Sequence, residues 1–266
     1  MTARTILITG GSSGIGRALA LHYARRDGAG AHLVLHGRDA ARLDAVAAEC
    51  RDAGASAQTL KGDVRDRAAM RDALLAVDAR TPIDTLVANA GIAAGVRRGA
   101  LLEDPDAVRA VVDIDLVGVF NTVEPLIEPM CARERGRIGM TGSIAGVRGL
   151  PHSPSYCAVK AAVHVYGQSL APALRRRGVS VSVIVPGFVQ TPMLERLSAM
   201  KPLTVSDAEA AAIIAGGLDR GRPMIAFPKL LYWTARLSRL LPPAVEDAIL
   251  ARIKADVPGT FERVAP

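Results

Sequence analysis

The sequence is short of aromatic residues and cysteines, and each shortage excludes a class of protein. Aromatic residues make up 3% of the 266 residues, while hydrophobic residues make up 50% and charged residues 22%. A folded chain of this composition builds its core mainly from Ala, Val, Leu and Ile, and it lacks an aromatic platform for stacking nucleic-acid bases. The three cysteines, Cys50, Cys131 and Cys157, are widely spaced and form no CxxC pair. We therefore expect neither disulfides nor a metal, and a reducing compartment.

We also expect no segment that would export or anchor the chain. No run approaches ~18 uninterrupted apolar residues, the length that spans a membrane. The chain begins almost at once with a strand-like run at residues 5–8, without the basic and apolar regions of a signal peptide. We expect a cytoplasmic protein.

Positive charge, by contrast, is in excess. Lys and Arg number 33 against 26 for Asp and Glu, which gives a formal net charge of +7. Such a balance is compatible with a nucleic-acid, membrane-surface or anionic-ligand partner. The basic residues are dispersed apart from a short arginine run at 175–177, so we expect no nucleic-acid partner.

Strand-like apolar runs alternate with longer segments of helical periodicity. The predicted strands are residues 4–9, 31–36, 56–61, 84–88, 136–141, 179–185 and 223–227, and the predicted helices are 14–27, 39–53, 66–80, 105–133 and 155–177. Strands that alternate with helices favour βαβ units with right-handed crossovers. We predict an α/β doubly wound Rossmann fold, in which helices flank a seven-stranded, mainly parallel sheet and residues 1–266 form a single domain.

Two segments depart from this alternation. Residues 192–222 contain prolines and glycines around short helical pieces, and we interpret them as a substrate-capping segment over the carboxyl edge of the sheet. Residues 228–266 form a helical C-terminal extension, in which Leu, Trp and Ile recur at helical spacing among arginines. Core or subunit-contact helices are the favoured interpretation of this extension, and a membrane-surface amphipathic helix is the less favoured alternative.

A glycine-rich loop, TGGSSGIG at residues 9–16, follows the first predicted strand and opens the first helix. Glycines allow a tight turn there, and the N–H groups of the helix N-terminus can bind a pyrophosphate. The glycine spacing differs from the common GxGxxG pattern. The residues expected to contact a dinucleotide are Gly10, Ser12, Ser13, Gly14, Ile15 and Gly16.

Together with five further motifs, this loop makes residues 1–191 resemble the short-chain dehydrogenases/reductases. The motifs follow in the order and at the spacing typical of that family: Asp63-Val64, Asn89-Ala90-Gly91, Ser143, the YxxxK pair Tyr156 and Lys160, and Pro186-Gly187 with Val189 and Thr191. YxxxK alone would be a weak signal, but the ordered set is a specific one.

The resemblance implies that most of these residues contact a nicotinamide cofactor. Asp63-Val64 would contact the adenine, although Asp63 could instead cap the next helix. Asn89-Ala90-Gly91 would steady the sheet beside the cofactor, although Asn89 could be a left-handed turn residue. The segment 186–191 would contact the nicotinamide carboxamide.

The resemblance also implies the chemistry. Tyr156 would donate a proton to the substrate oxygen in reduction and accept it in oxidation, although a packing tyrosine is the alternative. Lys160, four residues later on the same helix face, would lower the pKa of Tyr156 from about 10 and hold the nicotinamide ribose. Ser143 would hydrogen-bond the substrate oxygen. We predict an oxidoreductase that interconverts a small-molecule carbonyl and an alcohol.

The end of the second strand indicates which nicotinamide cofactor is used. An NAD site needs a carboxylate near this point for the ribose 2′-hydroxyl, but the position is Gly37. Arg38 follows and can grip a 2′-phosphate through charge-assisted bonds, whereas Asp39 is interpreted as a helix N-cap. The sequence therefore predicts a preference for NADP(H), with NAD(H) as the alternative.

One position departs from the family pattern. Asp115 stands where the family has an asparagine that anchors a water linked to the catalytic lysine. Its charge would pull on Lys160 and weaken the lowering of the tyrosine pKa, so we expect slowed or pH-shifted catalysis. Asn121, six residues later, lies on another side of the helix and cannot replace it.

Substrate and assembly are less defined by the sequence. Residues 93–98, 144–152 and 188–200 would line a mainly apolar substrate pocket. A cofactor-sensing regulatory protein on the same fold is the alternative to an enzyme, but such proteins tend to lose Tyr or Lys of the pair. By resemblance, helices 105–133 and 155–177 would pair with those of a partner in a homodimer or homotetramer.

Overall fold

Seven parallel strands form the central sheet of the protein. The structure, a computed structural model, describes residues 3–97, 99–242, 245 and 255–256. The sheet strands are β1 (Arg4–Thr9), β2 (Ala31–Gly37), β3 (Ser56–Lys61), β4 (Ile83–Ala88), β5 (Gly136–Thr141), β6 (Val179–Pro186) and β8 (Met224–Phe227). Their order is β3-β2-β1-β4-β5-β6-β8, and every neighbouring pair is parallel. This confirms the predicted doubly wound fold.

Helices connect the strands and cover both faces of the sheet. The α-helices are α1 (Gly14–Asp27), α2 (Ala40–Asp52), α3 (Arg67–Arg80), α4 (Pro105–Val112), α5 (Gly118–Ala132), α6 (Pro154–Arg175), α7 (Pro192–Glu195), α8 (Asp207–Asp219) and α9 (Lys229–Ser238). Short 3₁₀ turns lie at Gly28–Gly30 and Ile144–Gly146, and a π-helical turn lies at Asp113–Val117. A two-residue strand, β7 (Ser198–Ala199), pairs antiparallel with β9 (Ala255–Asp256).

The core is divided by the sheet into two layers. Along β1, Ile6 and Ile8 face the layer that holds α1, α2 and α8, whereas Leu7 faces the layer that holds α3, α5 and α6. All three side chains are fully buried. Strands covered on both faces read as continuous apolar runs, which is why the sequence predicts them well.

The predicted helix over 105–133 is interrupted. The π-helical turn Asp113–Val117 separates α4 from α5. A π turn adds a residue to one turn of helix and changes which side chains point inward. Here it places Asp115 inside the protein, fully buried.

The predicted substrate-capping segment 192–222 also differs from the structure. Its longest element, α8, packs on α1 and contributes Ile214 and Leu218 to the buried core on one face of the sheet. Residues 207–219 are therefore a sheet-flanking helix rather than a cap over the carboxyl edge.

Of the predicted C-terminal extension 228–266, the structure describes α9 and its neighbourhood up to residue 242, Val245 and β9. The other residues of that extension lie outside the described part. Among the helices that the structure describes, none combines the length and apolar character needed to cross a membrane.

Candidate active site

The glycine loop between β1 and α1 is a turn that other residues could not form. Gly10 and Gly14 have φ values of +66° and +52°, in the left-handed region that favours glycine. A Cβ on Gly16 would collide with the carbonyl oxygen of Gly10. Ser13 is the N-cap residue of α1, yet its side chain makes no capping hydrogen bond. The N–H groups at the start of α1 could therefore bind an anion such as the pyrophosphate of a dinucleotide.

The loop is held against the carboxyl end of β4 by the Asn89 segment. The Asn89 Nδ2 group donates to the Thr9 carbonyl oxygen at 3.1 Å, and the backbone N–H groups of Asn89 and Ala90 donate to Thr9 Oγ1 at 3.0 and 3.1 Å. An ideal Cβ on Gly10 would lie 2.9 Å from Ala90 Cα. Asn89 has a negative φ, since the only described non-glycine residues with positive φ are Glu134 and Leu203. Its role is therefore to join β1 and β4.

Asp63 and Val64 lie at the carboxyl end of β3, and neither caps a helix. Asp66 is the N-cap residue of α3 and accepts from the Ala69 N–H. Asp63 instead forms an ion pair with Arg65 at 2.6 Å. Burial raises the pKa of Asp63, but the hydrogen bonds and charge of Arg65 outweigh it and hold that pKa below its usual value.

Asn121, on α5, fixes this segment, a role that the sequence does not predict. Its Nδ2 group donates to the Val64 carbonyl oxygen at 2.8 Å and to the Arg65 carbonyl oxygen at 3.3 Å. Val64 packs so closely on α5 that a Cβ on Gly118 would lie 2.7 Å from its Cγ2 atom. The Asp63-Val64 segment is thus held in place by α5.

Gly37 and Arg38 end β2 on the same edge of the sheet. An ideal Cβ on Gly37 would lie 3.7 Å from Ser12 Oγ of the glycine loop. Arg38 is exposed, and its charge contributes to lowering the pKa of Asp63. The Asp39 side chain accepts from the Arg42 N–H at 3.0 Å and caps α2. The end of β2 therefore carries the exposed Arg38, while the carboxylate of Asp39 is taken up by the cap of α2.

The segment after β6 closes over the glycine loop. The Gly187 N–H donates to the Phe227 carbonyl oxygen at 2.8 Å, and Val189 is buried. Thr191 caps α7, and its Cγ2 atom would lie 3.4 Å from a Cβ on Gly14. The Pro186–Thr191 segment and the glycine loop therefore face the same space.

Ser143, Tyr156 and Lys160 converge at the carboxyl end of β5. Ser143 follows β5 and caps the 3₁₀ turn with its hydroxyl, which accepts from the Ala145 N–H at 3.1 Å. The Tyr156 and Lys160 side chains project from successive turns of α6, with Lys160 Nζ 5.5 Å from the centroid of the Tyr156 ring. A side-chain hydrogen bond links Ser143 to Tyr156. The three predicted catalytic residues are thus brought together.

The start of α6 is fixed by a residue from a distant loop. Both Glu103 carboxylate oxygens accept from Ser155, one from its backbone N–H and one from its hydroxyl, each at 2.9 Å. A carboxylate at a helix N-terminus satisfies free N–H groups and complements the helix dipole. Glu103 therefore stabilises the turn that carries Tyr156.

Asp115 pairs directly with Lys160, the predicted catalytic lysine. Its Oδ2 atom lies 3.0 Å from Lys160 Nζ, and both side chains are buried. Its Oδ1 atom accepts from the Ile92 N–H at 2.8 Å, and Lys160 Nζ also donates to the Thr141 carbonyl oxygen at 2.9 Å. A Cβ on Gly91 would lie 2.8 Å from Asp115 Oδ2. Asp115 therefore contacts Lys160 directly, and its charge acts on the lysine.

The ion pair changes the electrostatics of the tyrosine. Burial raises the pKa of Tyr156, the charge of Lys160 lowers it and that of Asp115 raises it, so the pKa lies above its ordinary value. Burial lowers the pKa of Lys160, but Asp115 and then Tyr156 raise it to above the ordinary value. Lys160 therefore lowers the pKa of Tyr156, as expected, whereas burial and the charge of Asp115 raise that pKa.

His164, one turn after Lys160, is a second residue that the sequence analysis did not select. Its Nε2 atom accepts from the Ser143 backbone N–H at 3.3 Å. Burial, followed by the charge of Lys160, lowers the pKa of His164 to about 4, so the ring is neutral and can accept at neutral pH. The sequence feature that points to His164 is its position four residues after Lys160, which places both side chains on the same face of the helix.

The predicted substrate side is assembled from separate segments. The Val96 N–H donates to the His152 carbonyl oxygen at 2.9 Å, which joins residues 93–97 to residues 144–152. Arg97 pairs with Asp104 at 3.7 Å, and Arg148 donates to Ser238 Oγ at 2.7 Å. A cavity of about 590 Å³ lies beside this loop, lined by Val147, Leu150, Cys157 and neighbours but by neither Ser143 nor Tyr156.

The parallel sheet, the glycine loop and the Ser–Tyr–Lys group define a dinucleotide-dependent oxidoreductase. A family model described as short chain dehydrogenase matches residues 4–202, and the chain belongs to that family. It is therefore a short-chain dehydrogenase/reductase, as its motifs predicted.

Individual relatives agree with this membership. An oxidoreductase of Myxococcus xanthus (strain DK1622) is 33% identical over 255 residues, which are 96% of this chain and 99% of the relative. The structure of a short-chain dehydrogenase from Sphingobium yanoikuyae in complex with NADPH matches with a TM-score of 0.76 and 26% identity over 98% of each chain. A 3-oxoacyl-[acyl-carrier protein] reductase with bound NAD from Brucella melitensis matches with a TM-score of 0.72 and 31% identity, over 85% of this chain and 89% of that one.

Proposed function

We propose that the protein is an NADP(H)-dependent oxidoreductase that interconverts a carbonyl and an alcohol by hydride transfer. The convergence of Ser143, Tyr156 and Lys160 at the sheet edge that carries the glycine loop is the observation on which this rests. A bound nicotinamide would supply the hydride in reduction and accept it in oxidation. The solved relatives that carry NADPH or NAD support a nicotinamide cofactor of either kind.

The chain's own residues handle the proton and the substrate oxygen. In reduction, the Tyr156 hydroxyl donates its proton to the oxygen as the C–O bond gains electrons, and in oxidation the tyrosinate accepts it back. The Ser143 hydroxyl stabilises the charge that develops on that oxygen. The positive charge of Lys160 favours the tyrosinate, since it lowers the pKa of Tyr156.

The preference for NADP(H) rests on the end of β2. Gly37 lies against Ser12 of the glycine loop and offers no carboxylate to the ribose, and the next residue, Arg38, is exposed. A guanidinium binds a phosphate through charge-assisted hydrogen bonds and cannot lose its charge near neutral pH. Asp39 is engaged in capping α2, which supports Arg38 rather than Asp39 as the ribose-side ligand.

Substitution of the tyrosine tests the reaction. Tyr156→Phe should abolish turnover across a panel of carbonyls and alcohols, monitored by NADPH absorbance, while NADPH binding by fluorescence titration is retained. Tyr166→Phe, on the same helix, is the matched control and should keep most of the activity. A wild-type protein that binds NADPH but turns over no member of the panel would indicate the cofactor-sensing alternative.

Substitution of the arginine tests the cofactor preference. The wild-type protein should have a lower KM for NADPH than for NADH. Arg38→Ala should raise the KM for NADPH about tenfold or more, as expected for a lost charge-assisted contact, and leave the KM for NADH nearly unchanged. Arg42→Ala, which removes a neighbouring cation on α2, is the control. A wild-type preference for NADH would contradict the proposal.

A further inference from the structure

Helix α9 and the turn that follows it expose a row of large apolar side chains. Leu230 is 64% exposed, Trp233 52%, Leu237 56% and Leu240 81%. Spacings of three and four residues place Leu230, Trp233 and Leu237 on one side of α9, within an arc of about 60°. Leu240 lies in the turn that follows the helix. Exposed large apolar side chains that are contiguous, rather than scattered, mark a binding surface. We call these four side chains the apolar arc.

The other side of α9 is already occupied by the protein. Tyr232 is buried and packs with Val183 and Val185 of β6 in a small core cluster. Ser238 accepts from Arg148 of the loop after β5, and a Cβ on Gly187 would lie 3.0 Å from Leu231 Cδ2. The apolar arc is therefore additional to the side that folding buries.

Basic residues predominate in the segment that carries the apolar arc, and two of them, Lys229 and Arg236, lie on α9 itself. Residues 220–245 contain five basic residues and no Asp or Glu: Arg220, Arg222, Lys229, Arg236 and Arg239. At 100° per residue, Lys229 and Arg236 lie along one flank of the arc. An isologous contact with a second copy would bring these like charges together, whereas an anionic surface would neutralise them.

We propose that α9 docks on an anionic lipid bilayer, with its axis along the surface and the apolar arc below the headgroups. An apolar stripe with a cationic flank is the pattern of interfacial helices, and tryptophan is enriched at the membrane–water boundary. Because the inner side of α9 contacts the loop that follows Ser143, docking sets the substrate side of the enzyme close to the bilayer. The proposal does not depend on which carbonyl is reduced.

Trp233 is the only tryptophan of the chain and reports on this surface directly. Its emission is recorded in the full-length protein, alone and with phosphatidylcholine vesicles that do or do not contain phosphatidylglycerol. We expect a blue shift with the anionic vesicles, a much weaker shift with phosphatidylcholine alone, and reversal by salt. Unchanged emission with anionic vesicles, or equal and salt-independent shifts with both vesicles, would overturn the proposal.

Variants connect the signal to the apolar arc. Leu237→Ser should weaken partitioning into anionic vesicles about tenfold in a sedimentation assay, since it removes one buried leucine side chain, and Arg236→Gln should weaken it several-fold. Leu102→Ser, at an exposed leucine in the loop before α4, should leave partitioning unchanged. A blue shift that depends on protein concentration without vesicles would show instead that a second copy covers the arc, and the proposal would be wrong.

Discussion

Asp115 is the residue at which this chain differs most consequentially from its family's pattern. An aspartate in place of the expected asparagine was evident in the sequence, but its 3.0 Å contact with Lys160 was not. The contact depends on the π-helical turn, which rotates Asp115 inward beside Ile92. Helical periodicity cannot predict such a turn, because one inserted residue shifts the register of every side chain that follows.

Replacing this aspartate should move the pH dependence of the reaction. The charge of Asp115 raises the pKa of Tyr156, so Asp115→Asn should lower that pKa. In alcohol oxidation, where the ionised tyrosine accepts the proton, the rising limb of kcat/KM should therefore shift to lower pH. In reduction, where the tyrosine hydroxyl donates the proton, the fall of kcat/KM at high pH should also shift to lower pH.

Asp113→Asn, an exposed aspartate in the same π turn, is the matched control for a change of net charge, and its pH profile should match that of the wild type. A pH profile of Asp115→Asn that coincides with the wild type would show that the ion pair is not coupled to the tyrosine.

At the scale of elements, the sequence predicts strands better than helices. All seven predicted sheet strands agree with the structure to within one residue at each end. Most are buried parallel strands, which read as short apolar runs between turn residues, whereas the edge strand β3 is largely polar. For the helices, the sequence predicts one continuous helix over 105–133, which a π-helical turn interrupts. It also predicts a cap over 192–222, whereas α8 in this segment packs on α1. The prolines and glycines of 192–222 suggested an irregular segment, whereas the small side chains Ala210 and Ala211 let α8 pack closely on α1.

Helix α6 places three functional side chains on successive turns: Tyr156, Lys160 and His164. His164 accepts the hydrogen bond from the Ser143 N–H and is a positioning residue for that serine. His164→Leu leaves this N–H without its acceptor, a loss of about 1–2 kcal/mol, and should lower kcat about tenfold with little change in the KM for NADPH. His164→Gln, which retains an acceptor, should recover part of the rate.

A double-mutant cycle separates positioning from a general loss of packing. If His164 acts through Ser143, then His164→Leu should have little further effect on kcat in a Ser143→Ala background. Equal effects of His164→Leu on kcat in the two backgrounds would contradict a positioning role. Failure of Ser143→Ala itself to slow the reaction would count against the proposed function rather than against His164 alone.

At the scale of the whole molecule, the two histidines with the largest pKa shifts make stability depend on pH in the acid range. Burial lowers the pKa of His36 to about 4, against an opposing effect of Asp63, and burial followed by Lys160 lowers that of His164 to about 4. Both ring nitrogens of His36 lack a hydrogen-bond partner among the described residues. Each histidine binds a proton more readily in the unfolded chain, where its pKa is about 6.5. The folded state should therefore lose stability as pH falls from about 6.5 to about 4, and no further on this account below that.

His36→Leu should remove about half of the loss of folding stability that His36 and His164 together cause as the pH falls. From pH 7 to pH 5, each histidine with a folded pKa of about 4 costs about 2 kcal/mol of unfolding free energy, measurable by urea denaturation of the cofactor-free protein at the two pH values. The variant should lose less stability over that interval by about this amount, and at pH 7 it should be no less stable, because an apolar side chain replaces a buried one with unpartnered nitrogens. His32→Gln, on the same strand but with its Nδ1 atom 2.8 Å from Ser56 Oγ, is the control and should keep most of the pH dependence. An equal loss of stability in His36→Leu and the wild type would show that His36 takes up its proton without unfolding. The structure argues against that outcome, because His36 packs tightly against Gly62: a Cβ on Gly62 would lie 2.8 Å from His36 Nε2.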